Sequence, residues 1–296
     1  MYGELINKPI YDVSIVVPIY NGEQYVEAKM RSLTGIVGIN YEVIVALNKC
    51  TDKSEELINQ YGGNIQNLRV LRHPSYLESG ENFQSGVLAA RGEYIFVSAI
   101  DDICDKEFYH EATETLRSKS SACAISPRSR YVDNSHGEKI VDFELLGNTE
   151  NRVRTLFDNI RVSHGIFYCL MRRKFAISLY QNFAIDYAFP GGDWLFDLKL
   201  ALHGEVLRSR ISCCTFGVRG ISRNDNYLTK SKTSGINRVF PYAILCYEIL
   251  KIAGRQRKSL KYLCLKIAIR LLYGNLHRYL FSFKISKMRH LFHGNQ

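Results

Sequence analysis

Short phosphate and metal motifs are missing from this chain. Neither Gly-x-Gly-x-x-Gly nor Gly-x-x-x-x-Gly-Lys-Ser/Thr occurs in its 296 residues. That removes the usual backbone cradle of dinucleotide enzymes and P-loop ATPases. His-Glu-x-x-His is absent. None of the eight cysteines, at positions 50, 104, 123, 169, 213, 214, 246 and 264, forms a Cys-x-x-Cys knuckle, so a structural zinc site is not expected. Most lie in apolar stretches such as Ser121-Ala-Cys123-Ala-Ile125 and read as buried free thiols in a reducing compartment. Long apolar runs are missing too. Val13 to Ile19 is among the longest, against the roughly 20 residues a membrane span needs. Met1 to Asp12 carries Glu4, Lys8 and Pro9 without a long apolar stretch, unlike a signal peptide. The expected location is the cytoplasm.

Acids are missing from one end. From Lys251 to Gln296 there are 11 Lys/Arg and no Asp or Glu, against 28 Lys/Arg and 29 acids before it. The net charge of +10 therefore belongs to the tail. Such a segment seeks a polyanion: a membrane surface, a nucleic acid or an acidic partner.

What is present is an alternation of strand and helix signals. Val13–Val17 is a β-branched run ended by Pro18 and reads as a buried strand. Asn21 is placed to cap a helix through Glu23–Leu33. Tyr41–Leu47 reads as a second strand. Thr51 or Asp52 is placed to cap the next helix, Asp52 and Glu55 having capping-box spacing. Leu68–Leu71 and Tyr94–Val97 read as strands around a helix at Asn82–Ala90. This βαβαβαβ order predicts an α/β fold with a parallel sheet and helices on both faces. Ligands on such sheets bind beyond the carboxyl ends of the strands. Further on, Lys106–Ser118 and Trp194–His203 read as helices. Ala122–Ser126, Ile166–Met171 and parts of Val206–Val218 read as strands, and Arg130–Val141 as a hairpin turning near Asn134–Gly137. From about Phe240 the pattern is helical. The expected organisation is a catalytic-type domain over 1–239 and a basic amphipathic helical extension over 240–296.

Ser98-Ala-Ile-Asp-Asp-Ile103 sets two adjacent acids behind an apolar strand. Two readings are open from these residues. Asp101 and Asp102 suit a hard divalent cation that bridges to phosphates; equally, they suit a helix cap or a solvated turn.

Three blocks in order then carry a resemblance: Val13-Ser-Ile-Val-Val-Pro-Ile-Tyr-Asn-Gly22, Gly80-Glu-Asn-Phe-Gln-Ser-Gly86 followed by Ala89-Ala-Arg-Gly-Glu-Tyr-Ile95, and the acidic pair. Over residues 13–104 the chain resembles family 2 glycosyltransferases of GT-A fold, the Rossmann-like nucleotide-diphospho-sugar transferase arrangement of a mixed sheet flanked by helices. The acidic pair falls where that family carries a metal-binding Asp-x-Asp. Gly191-Gly-Asp-Trp194 resembles the acidic motif opening the acceptor-side helix, and Arg219-Gly-Ile-Ser222 a basic motif near the end of the domain. The resemblance implies that Pro18, Tyr20 and Glu23 line the nucleotide pocket, with Asn48 and Asn82 beside it. It implies that Asp101 binds Mg²⁺ or Mn²⁺ at the donor diphosphate with Asp102 assisting, and that Asp193 is the base for the acceptor hydroxyl. The implied reaction is inverting transfer from a nucleotide-sugar donor to a glycan or lipid-linked acceptor, in bacterial surface polysaccharide synthesis. Two departures stand out. Leu47 and Asn48 occupy places where the family often has Asp-Asp, the first of which contacts a uracil ring. Ala99 replaces the first Asp of the metal motif, leaving Asp101 as the main ligand.

Other residues admit plainer readings. His164 suits a structural hydrogen bond or an acceptor contact, and Trp194 a sugar stack or a core anchor. Asp197 reads as a solvated helix position and Arg219 as a surface residue or a phosphate contact. Lys258, Lys266 and Arg270 share one helical face backed by Leu and Ile. This suits either an anionic bilayer on the inner face of the plasma membrane or packing on the domain. The rivals are a sugar nucleotidyltransferase, for which Val13–Gly22 lacks a Gly-rich basic loop, and a nucleic-acid-binding protein, for which no recognition motif is present. No nucleic-acid partner is expected.

Overall fold

The computed structural model describes residues 9–133, 137–160, 163–186, 188–216 and 242–273. The first half follows the expected alternation. Strands β1 (Tyr11–Ile19), β2 (Tyr41–Leu47), β3 (Leu68–Arg72) and β4 (Gly92–Val97) alternate with helices α1 (Glu23–Leu33), α2 (Ser54–Tyr61) and α3 (Ser79–Leu88). They pair in parallel in the order β3-β2-β1-β4. Val13, Ile15, Val16 and Val17 are all fully buried, as a strand covered on both faces requires. A buried polar knot ties the four strands at their amino ends. Ser14 Oγ donates to Glu42 at 2.6 Å and Arg69 reaches the same carboxylate at 2.7 Å, while Gly92 N–H donates to Ser14 Oγ at 2.7 Å.

The second half turns the sheet mixed. In chain order come β5 (Ile103–Cys104), α4 (Glu107–Ser118), β6 (Ala122–Asp133), β7 (Gly137–Val141), α5 (Thr149–Asp158), α6 (His164–Phe167), β8 (Leu170–Arg172), α7 (Arg173–Tyr180), α8 (Phe183–Asp186), α9 (Gly192–His203), β9 (Glu205–Thr215) and α10 (Ala243–Ala253). A last helix, α11, runs over 258–273. The full sheet order is β3-β2-β1-β4-β8-β6-β9-β5, with β7 on β6. β8 runs antiparallel to β4, and β6 antiparallel to β8. The cysteines are free, and all but the half-buried Cys50 are buried, as their apolar surroundings foretold.

Several local expectations are corrected. Pro18 does not end β1. It pairs in register with Ala46 and the strand continues to Ile19. Asn21 does not cap α1; it sits at φ 48, and Gly22 is the N-cap. Asp52 and Glu55 form no capping box: Glu55 pairs with Arg72 at 2.5 Å. The third helix starts at Ser79 through a capping box of Glu78 and Glu81. Ile166–Met171 splits into the end of α6 and the start of β8, because Phe167 turns into an aromatic cluster with Phe83, Phe183 and Phe196. The hairpin of β6 and β7 forms, its turn at 134–136 lying outside the described residues.

The boundary expected at residue 240 also lies outside them. Beyond it, α10 packs on the start of α9. Gly191 has φ +89, and a Cβ there would stand 2.7 Å from Leu245 Cδ2; Trp194 stacks on Tyr242 at 5.0 Å. Leu245, Ile249, Leu260, Cys264 and Ile267 join the main core. Among the described residues no helix is long and apolar enough to cross a membrane.

Candidate active site

The loops after β1 and β2 are stitched into one ledge at the carboxyl edge of the sheet. Asp52 Oδ2 accepts Glu23 N–H at 2.9 Å and Asp52 Oδ1 accepts Ser54 N–H at 3.0 Å, so one carboxylate serves the first turns of both α1 and α2. Burial alone would raise that carboxyl, but the hydrogen bonds from Ser54 and Glu23 hold it below its ordinary value. Glu23 returns the bond, accepting Lys53 N–H at 2.9 Å. Gly22 N–H donates to Ser54 Oγ and Thr51 N–H to Asn21 Oδ1. Above this ledge Tyr20 and Tyr76 stand edge to face, 5.2 Å between centroids, each about half exposed at 53% and 51%. An exposed aromatic pair beside a rigid loop offers a flat apolar face to a planar ring.

Asn48 and Asn82 lie beneath that surface. Asn48 is buried and both ends of its amide are used: Nδ2 donates to Leu77 O and Oδ1 accepts Leu77 N–H, both at 2.8 Å. Asn82 is buried too, and Nδ2 donates to Ala46 O at 3.1 Å. Both brace the end of β2, and the Asn48 bonds hold the loop that carries Tyr76.

The acidic turn follows β4. Ser98 N–H donates to Val16 O at 2.9 Å, and Asp102 N–H to Ala99 O at 3.2 Å. Asp101 is half-buried, whereas Asp102 is buried at 4% exposure. Ile100 leans on the first ledge: a Cβ at Gly22 would meet Ile100 Cγ1 at 3.3 Å. The pair thus sits against the β1 loop. Among the described residues no group of three or more His, Cys, Asp or Glu is arranged to hold a metal ion. Two carboxylates nevertheless fit Mg²⁺ or Mn²⁺, hard ions that commonly use one or two carboxylates and complete their shell with water and substrate phosphates.

Asp193 reaches the same edge by a different route. The start of α9 lies against α6, with Phe167 and Phe196 4.9 Å apart, and α6 precedes β8, whose Leu170 is opposite Phe96 near the end of β4. The other end of α9 meets the start of β6, where a Cβ at Gly204 would stand 3.0 Å from Cys123 Cβ. Helix α9 therefore runs from the carboxyl edge of β4 towards its amino edge, with Asp193 in its first turn. Gly80, at the start of α3, lies against the backbone of Ala184 in α8, which brings the approach to α9 beside the donor-side loops.

A carboxylate at a helix N-terminus is expected to have a lowered pKa. Here the direction is reversed: burial pushes the Asp193 carboxyl up, outweighing the backbone N–H groups of Trp194 and Asp193 that pull it down. Asp197, one turn on, is corrected more sharply. It is fully buried rather than solvated, and burial, with the charge of Asp193 one turn back adding to it, holds its carboxyl well above the ordinary range. Nearby Arg208 is buried and pushed down to about 10, and its guanidinium is bound by the carbonyls of Pro127 and Phe143. Trp194 anchors α10. His164 opens α6, its side chain outside the described set, and Arg219 lies outside the described residues.

Sequence reasoning missed Tyr76 and Lys29. Nothing local marks Tyr76. Lys29 had a signal: it shares the 26-29-30-33 stripe with Val26, Met30 and Leu33, all buried, and a lysine on that stripe is out of place.

Comparison with known proteins supplies the context. The model of the family described as Glycosyl transferase family 2 matches residues 14–179. A poly(ribitol-phosphate) beta-glucosyltransferase of Bacillus spizizenii is 32% identical over 98 residues, covering 32% of this chain and 16% of that protein. The chain spans less than half the length of the curated relatives it first matches. Among solved structures, S. aureus TarS 1-349 in complex with UDP-GlcNAc superposes with a TM-score of 0.65 at 18% identity, over 93% of this chain and 76% of that one. The mannosyltransferase PcManGT from Pyrobaculum calidifontis, in complex with GDP-Man and Mn²⁺, gives 0.53 at 14% identity, over 95% and 81%. The fold is the GT-A arrangement.

Proposed function

This chain belongs to glycosyl transferase family 2, and from that premise we propose that it transfers a sugar, with inversion, from a nucleotide-sugar donor to a glycan or lipid-linked acceptor of a bacterial surface polysaccharide. The observation that carries the reading is the meeting, at one sheet edge, of an acidic turn, an aromatic ledge and a half-buried carboxyl of raised proton affinity.

In this reading the base stacks against Tyr20, and Pro18 and Glu23 shape the floor beneath it. Asp101 and Asp102 would hold Mg²⁺ or Mn²⁺, which when bound neutralises charge on the departing diphosphate. Asp193 takes the proton of the acceptor hydroxyl as its oxygen bonds to the anomeric carbon and the bond from that carbon to the diphosphate oxygen breaks. Attack opposite the leaving group inverts the centre. The raised proton affinity of Asp193 brings it nearer the operating pH, where a general base works best. With Leu47 and Asn48 in place of two acids, and Asn48 spent on Leu77, the usual acidic contact to uracil is missing. The base is therefore read by ring stacking and backbone.

The tail supports a place on an anionic bilayer. The inner side of α11 is buried through Leu260, Cys264 and Ile267, yet Tyr262, Leu265, Ile269 and Tyr273 form a second, exposed stripe on it. Lys258, Lys261, Lys266 and Arg270 flank that stripe and are exposed. In this reading packing and membrane contact fall on opposite sides of one helix.

The deciding experiment is a donor screen that measures nucleotide release from UDP, GDP, dTDP and CMP sugars with Mg²⁺ or Mn²⁺ present. Release above the metal-only blank with at least one donor is expected. No release from any of them, with fold and nucleotide binding intact, would overturn the reading.

A further inference from the structure

Among the described residues Lys29 is the one lysine in the set of largest fully buried side chains, at 1% exposure on the inward face of α1. Taking an ammonium out of water is costly unless its donors are satisfied. Its two bonds do not go to a carboxylate. Nζ donates to Ser98 Oγ at 2.8 Å and to the main-chain oxygen of Asp102. Those are the first and last residues of the turn that carries Asp101. The ammonium therefore bridges the two ends of a five-residue turn from behind. Ile100 touches Gly22 from the front and Asp102 N–H closes on Ala99 O within.

We propose that Lys29 is a positioning residue for the acidic turn: its Nζ pins Ser98 and Asp102 so that Asp101 is presented to the donor diphosphate. This rests on the reading of the site as a donor diphosphate site.

Two physical points favour the assignment over simple packing. An apolar residue at 29 facing an apolar residue at 98 would fill the same space without desolvating a charge. Burial indeed lowers the Lys29 pKa, with the charges of Asp102 and, further down, Asp101 acting against it. The anchor is also placed where the metal motif has lost a carboxylate, since Ala99 leaves fewer fixed ligands and makes the exact placing of Asp101 matter more.

The test is Lys29→Met, which keeps length and volume but removes charge and donors, with Ser98→Ala as the second variant. Hydrogen exchange followed by mass spectrometry reads the turn without any turnover. Faster exchange confined to peptides spanning residues 98–103 is expected in both variants. In donor-dependent nucleotide release the donor KM should rise about tenfold or more in Lys29→Met, the usual range for losing the support behind a metal-binding carboxylate. A merely destabilising change would lower the active fraction and leave that KM unmoved. Unchanged exchange at 98–103 in the folded variant overturns the proposal, as does an unmoved donor KM. If Lys29→Met does not fold, Ser98→Ala decides by the same two readouts. Should the wild type release nucleotide from no donor, the functional reading falls while the exchange result still judges the anchor.

Discussion

Replacing Asp193 by Asn separates chemistry from architecture. The side chain keeps its shape but cannot take a proton. Helix α9 is capped at Gly191 without any side-chain capping bond, so Asp193 supports its own helix through its charge at the first turn, worth about 0.3–1 kcal/mol. Against that stands the cost of holding a carboxylate where burial favours the protonated form. The sign is as follows. A carboxyl whose folded-state pKa is raised adds stability at pH below the unfolded value of about 3.9, and that contribution is lost as pH rises through the folded value. At neutral pH the wild type bears the cost and the Asn variant does not. The two effects oppose each other, so the melting temperature should move little, by the equivalent of about 1 kcal/mol or less. Turnover should fall by roughly 10²–10⁴-fold, about 2.7–5.5 kcal/mol of barrier, with donor binding kept. The assay is nucleotide release under saturating donor, with binding of the nucleoside diphosphate measured separately by calorimetry. In the wild type, turnover should fall as pH drops through a midpoint above that of free aspartate. Near-normal turnover in the variant would refute the assignment, and Asp186 would be examined next. So would a loss of turnover matched by a loss of folded protein.

Asp101→Ala should leave the melting temperature within about 0.5 kcal/mol of wild type, as for a half-buried surface change, and abolish metal-stimulated nucleotide release; stimulation that persists with saturating Mn²⁺ removes Asp101 from the mechanism. Asp197→Asn should be more stable than wild type at pH 7, a tenfold difference in proton affinity being about 1.4 kcal/mol, and the gain should vanish as pH falls towards about 4. Parallel stability curves from pH 4 to 8 would show that Asp197 is not held protonated. Joint replacement of Lys258, Lys261, Lys266 and Arg270 by Glu should weaken binding to phosphatidylserine vesicles by about 1 kcal/mol or more per charge while circular dichroism stays unchanged. Equal sedimentation with vesicles would sink the bilayer reading. Truncation before 251 is a poorer test, because Leu260, Cys264 and Ile267 belong to the core.

Much of the frame was legible in the chain. Val13–Val17, Tyr41–Leu47 and Tyr94–Val97 are short β-branched or apolar runs bounded by turn residues, and each became a parallel strand. Period-2 and period-3.6 patterns act over a few residues, so they survive without tertiary context. The acidic pair was legible for the same reason: position at the end of a central strand follows from order along the chain. What sequence could not settle were the choices made between distant segments. Asn21 looked like a cap, but Asp52, 29 residues away from Glu23, took the helix N–H instead. Pro18 looked like a strand end, yet a proline lacks only a donor and β1 runs on past it beside Ala46. Asp197 looked solvated because the helix around it carries Asp193 and Lys199; packing of α6 against α9 buried it. The same burial reversed the direction expected for Asp193, since a helix terminus acts locally whereas desolvation depends on everything that covers the group. The sequence by itself thus determined the alternating order, the parallel half of the sheet and the residues at its carboxyl edge. Only the tertiary structure decided which polar groups are cut off from water, and with that the proton affinity of Asp193, the burial of Asp197 and the place of Lys29 behind the acidic turn.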